Sequence, residues 1–72
     1  MFRIYFLDRG RFRLRWQYKT IQRFAVRMYV LATEEFWRVP PVYIVVRGNW
    51  YEITFYEAEN GHRYWGREEV EW

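Results

Sequence analysis

Few side chains in this sequence are equipped for covalent chemistry. It contains no serine and no cysteine, so the usual acyl-transfer nucleophiles are missing. Thr20 precedes a helical pattern and reads as a cap, while Thr54 falls in the middle of a strand pattern. His62 is the lone histidine and directly follows Asn60-Gly61, where a solvated turn residue is expected. Glu57 and Glu59 would lie near it across that turn, but a metal site needs further ligands that the chain does not supply. Glu68, Glu69 and Glu71 read as a solvated edge or as partners for arginine. The glycines sit at turns or bends, without phosphate-loop spacing. No catalytic residue, metal or cofactor is expected.

Residues suited to contact are abundant. Phe, Trp and Tyr make up 25% of the 72 residues, too many rings for one small core. Eleven of the twelve basic residues are arginine, which stacks on rings and makes bidentate contacts. Rings and arginines together suit an interface.

The elements that position these residues follow from periodicity. Phe2–Leu7 and Arg11–Trp16 alternate as strands around Asp8-Arg9-Gly10. A three-residue loop with Gly10 left-handed sets Phe6 against Phe12, Ile4 against Leu14 and Phe2 against Trp16. The other face then collects Arg3, Tyr5, Leu7, Arg11, Arg13 and Arg15. From Thr20 the period becomes helical through Ile21, Phe24, Ala25, Met28, Ala32 and Phe36, and Pro40-Pro41 closes the segment 20–38. Val26, Val30 and Trp37 form a second apolar stripe, suited to self-association or a partner. Its β-branched residues also fit a strand. Val42–Arg47 and Trp50–Glu57 flank Gly48-Asn49, which places Val46 opposite Tyr51, Ile44 opposite Ile53 and Val42 opposite Phe55. Asn60-Gly61 is a strong hairpin signal leading into His62–Trp65 and on toward Trp72, with a bend at Gly66.

The resulting order is ββαβββ: an α+β domain over residues 1–72, with an antiparallel or mixed sheet and one packed helix. A small all-β barrel is the alternative. The opening hairpin, Thr20-Ile21 at the helix start and Val39-Pro40-Pro41 before a strand loosely resemble the β-grasp order of ubiquitin-like proteins. That resemblance implies a fold order only, because the chain ends Val70-Glu71-Trp72 where conjugation would need Gly-Gly.

Two binding surfaces follow from this register. The face opposite Ile44 and Ile53 carries Tyr43, Arg47, Trp50 and Tyr56, and a two-residue Asn60-Gly61 turn adds Trp65 with Arg63 beside it. Together with Val26, Val30 and Trp37, these are the candidates for contact with a protein or a second copy. Arg11, Arg13 and Arg15 on the first hairpin are the alternative candidates, for nucleic acid.

Charge is distributed unevenly. Residues 1–27 hold seven arginines and Lys19 against Asp8, whereas residues 52–72 hold six glutamates against Arg63 and Arg67. The two ends either steer an acidic partner or neutralise one another in the fold. Arg3, Asp8 and Arg9 interrupt any signal-like apolar stretch, and the run Val42–Val46 is too short to span a bilayer, so a soluble domain is expected. The missing serine and cysteine, scarce alanine and leucine, and tight turns point to a designed mini-protein. Such a chain is either a binding module or a fold with no selected partner.

Overall fold

The computed structural model describes residues 1–34 and 38–71. Five strands and one helix follow in the order β1 (Phe2–Asp8), β2 (Arg11–Tyr18), α1 (Ile21–Thr33), β3 (Val42–Val46), β4 (Asn49–Glu57) and β5 (Arg63–Glu69). The strands form one open sheet, β2-β1-β3-β4-β5, in which every neighbouring pair is antiparallel. The α+β class and ββαβββ order are as the sequence indicates. The sheet is antiparallel rather than mixed, and its two free edges exclude a closed barrel.

Helix α1 begins where Thr20 Oγ1 accepts the Arg23 N–H at 3.3 Å. Capping satisfies a donor that has no partner within the helix. The helix ends at Thr33, short of the expected 38, and the Glu34 N–H closes it on the Val30 carbonyl. Pro40-Pro41 is therefore not what stops it. Arg63 of β5 donates to the Thr33 and Glu34 carbonyls at 2.9 and 2.7 Å, satisfying acceptors that the helix leaves open. Phe36 lies outside the described residues.

The core lies between α1 and one sheet face. Phe24, Met28 and Leu31 pack on Ile4, Phe6, Val42, Ile44 and Ile53. Phe2, Trp16, Tyr51, Phe55 and Trp65 border it. Ile21 and Ala25, expected inward, are exposed. Residue 21 shares the angular position of Met28 but opens the first turn, and Ala25 stands at the margin of the buried stripe.

All three hairpins differ from the expected register. In the first, Asp8 pairs with Arg11, leaving only Arg9 and Gly10 in the loop, at φ 52° and 77°. Two left-handed residues make the type I′ turn that matches strand twist. Leu7 thus faces Phe12 and Tyr5 faces Leu14, so Phe12 and Leu14 leave the core face. A bulge then intervenes: Tyr5 pairs with Leu14 but Ile4 with Trp16, and Arg15 is the extra residue. It returns Trp16 to the core side.

In the second hairpin the loop is Arg47-Gly48, again left-handed at φ 50° and 82°, with Ile44 opposite Tyr51 and Val42 opposite Ile53. This register differs from the expected one by two residues, so every side chain keeps its face. In the third, the Gly61 N–H donates to the Ala58 carbonyl and Ala58 pairs with His62. Glu59-Asn60-Gly61 is a three-residue loop with Gly61 left-handed at φ 81°. The register slips by one, setting Tyr56 opposite Tyr64 and turning Trp65 toward the helix.

Candidate binding surface

One helix covers one face of the sheet, and the opposite face carries a cluster of rings and aliphatic side chains bordered by Arg3, Gln17, Glu52, Thr54 and Glu68. It is assembled from Tyr5 and Leu7 of β1, Phe12 and Leu14 of β2, Tyr43 and Val45 of β3, and Trp50 of β4. Trp50 contacts Tyr5 and Phe12 at ring-centroid distances of 4.6 and 4.9 Å, and Phe12 meets Tyr43 edge-on at 5.0 Å. Phe12 and Leu14 are nevertheless 37% and 44% exposed. Ring-to-ring packing thus fixes this surface without removing it from water.

Toward β5 a second group stands apart. Tyr56 and Tyr64 stack at 5.2 Å, and the His62 ring lies parallel to Tyr64 at 6.3 Å. The Tyr56 ring also covers Gly66, where a Cβ would come within 3.2 Å of it. Glycine at 66 therefore leaves room for the ring across the strand pair. Glu52 and Glu68 face each other between the two groups. Burial first, and the neighbouring Glu52 carboxylate second, raise the Tyr43 phenol above its ordinary value of 10.0.

The expected site residues divide accordingly. Tyr43, Trp50 and Tyr56 share the open face, and Arg47 occupies the adjoining β3–β4 turn. Trp65 and Arg63 do not join them. Trp65 meets Phe24 under the helix at 6.2 Å, and Arg63 holds the helix end and Glu57. The one-residue slip at the third hairpin is the cause. Val26 and Val30 lie exposed on the helix, and Trp37 is outside the described residues.

Arg11, Arg13 and Arg15 do not share the aromatic face either. Arg11 and Arg13 oppose Asp8 and Phe6 on the helix side, with Arg13 3.6 Å from Asp8, while Arg15 lies over the Phe6 ring at 5.8 Å. Phe12, Leu14 and Tyr64 are the surface residues that pattern alone misplaced. The Arg9-Gly10 and Asn60-Gly61 pairs each allow more than one loop length, so only the loop geometry could have identified them.

Among the described residues, no three His, Asp or Glu side chains gather to hold a metal. The His62 N–H is engaged by Asn60 Oδ1 at 2.9 Å in the turn. No helix among them is long and apolar enough to cross a membrane. No family model matches the chain, and neither a curated protein nor a solved structure matches it.

Proposed function

We propose that the chain is a non-catalytic binding module that engages a protein partner through the open face of its sheet. The observation carrying this reading is the uncovered aromatic layer of Tyr5, Phe12, Tyr43 and Trp50, with Leu7, Leu14 and Val45 around it. An apolar centre rich in Tyr and Trp, with Arg47 and Glu52 at its margin, has the make-up of an interface hot spot. The rings already brace one another, so binding would immobilise little that is free.

A nucleic-acid partner is less well supported. Base stacking needs rings and cations on one surface. Here Glu52 and Glu68 flank the rings, Arg3 is the one strand arginine on that face among the described residues, and Arg11, Arg13 and Arg15 belong to the other side and the edge. The composition also supports a designed origin, for which a fold without any partner is the competing outcome.

The test is capture by the wild-type chain, by Phe12→Glu and by Val26→Lys. A cognate protein should lose about 30-fold in affinity with Phe12→Glu, the effect of removing one hot-spot residue, and little with Val26→Lys. Equal binding by all three, or loss only with Val26→Lys, would refute the assignment to the open face. Absence of any partner would favour the fold-only reading.

A further inference from the structure

The two free edges of the sheet are unlike each other. Edge β2 carries exposed Arg11, Arg13 and Arg15 and a bulge at Arg15, two features that obstruct strand pairing. Edge β5 has no bulge and carries charges of both signs: it reads Arg63-Tyr64-Trp65-Gly66-Arg67-Glu68-Glu69.

The phase of the β5 ladder fixes which groups point outward. Val70 donates its N–H to Trp50, and Ala58 donates to His62. Hydrogen-bonded pairs alternate along an antiparallel ladder, so Tyr64, Gly66 and Glu68 bond inward to β4. The backbone N–H and C=O groups of Arg63, Trp65, Arg67 and Glu69 therefore face the free edge. A second β5 running antiparallel can pair only these outward residues with one another.

Charge selects one register among them. Centring on Gly66 sets Arg63 opposite Glu69 of the second copy and Trp65 opposite Arg67, in both directions by symmetry. A shift of two residues either way brings Arg63 onto Arg67, or Arg67 onto itself. Opposite charges across strands stabilise and like charges destabilise. The flank of α1 on this side is apolar and uncovered: Ile21 and Tyr29 are 63% and 61% exposed, with Ala25 between them at four-residue spacing. Tyr29 lines the same groove as Thr33 and Arg63, which places this flank beside β5. The opposite flank carries Arg27, bonded to Tyr18.

We infer that two copies of the chain associate through antiparallel β5–β5 pairing centred on Gly66, with the Ile21–Ala25–Tyr29 flanks meeting beside it. The contact is isologous and closes at two copies. It leaves the aromatic face open and does not depend on the function proposed above.

Charge exchange tests it by sedimentation equilibrium. The wild type should be a dimer. Glu69→Lys alone and Arg63→Glu alone should each weaken association roughly 30-fold, since each places two like-charge pairs in the interface. Their mixture should form the heterodimer, because the native Arg63–Glu69 pair then forms at one end of the interface and its charge-reversed counterpart at the other. Because Arg63 also holds the helix end, Arg67→Pro serves as a second variant: it removes an outward N–H and the Arg67 guanidinium 4.7 Å from the Tyr51 ring, leaves the hydrogen bonds to β4 in place, and should yield monomer with its strand circular dichroism signal retained. A wild type that stays monomeric, a dimer indifferent to Glu69→Lys and Arg67→Pro, or species that keep growing with concentration as β2-to-β5 stacking would produce, each overturns the inference.

Discussion

At the scale of single residues, two arginines occupy backbone conformations that suit glycine or asparagine better. Arg9 and Arg47 both have φ near +50° as the first residue of a type I′ turn. An L side chain there is crowded by its own backbone, whereas asparagine bonds locally and tolerates the region. Arg9→Asn and Arg47→Asn should each raise stability by about 1 kcal/mol in urea denaturation. The Tyr43 phenol offers a second measurement. Its pKa is raised in the folded protein, so the folded state holds that proton more tightly than the unfolded state does. The associated stability is complete below the unfolded value of about 10 and is lost as pH rises through the higher folded value. A phenolate absorbance titration compared with that of Tyr43→Phe should show the Tyr43 phenol ionising above its ordinary value. Glu52→Gln should lower that midpoint only in part, because burial is the larger cause.

At the scale of elements, α1 is short and relies on its neighbours. Thr20 caps its start from within the local sequence, but its end is satisfied by Arg63, thirty residues away from Thr33 along the chain. Arg63→Met keeps the aliphatic stem and removes the donors. The expected loss is about 1 kcal/mol, with faster amide exchange confined to the last helical turn. A loss spread evenly through the sheet would show that Arg63 acts on β5 pairing instead. Hairpin registers show how strongly one loop residue governs a surface. A slip of one at Asn60-Gly61 exchanges Trp65 for Tyr64 on the open face, whereas a slip of two at Gly48 changes no face.

At the scale of the whole molecule, the basic strand β2 and the glutamate-bearing strand β5 do not meet. The strand order places β2 and β5 at opposite edges of the sheet. The molecule thus presents a basic edge and a β5 edge whose far end is acidic. Any binding of DNA or RNA should come from the β2 edge and fall steeply with salt. It should survive Phe12→Glu better than replacement of Arg11 and Arg13 together. Salt-resistant binding abolished by Phe12→Glu would instead assign nucleic acid to the aromatic face.

Local rules in the sequence determined the kinds of element and their order. Alternation marked the strands, Thr20 marked the helix start, and glycine marked each turn. They also sorted Ile4, Phe6, Val42, Ile44 and Ile53 into the core, since these aliphatic and aromatic side chains recur at strand period. The faces of Phe12, Leu14, Tyr64 and Trp65 were beyond such rules. Both sides of this sheet are rich in apolar residues, so hydrophobic sorting could not tell one register from its neighbour. What decided them was loop backbone: left-handed Arg9 with Gly10, the bulge at Arg15, and Gly61 in a three-residue loop. Which strands became the edges was likewise settled only when β3 paired with β1, a non-local contact that local sequence does not encode.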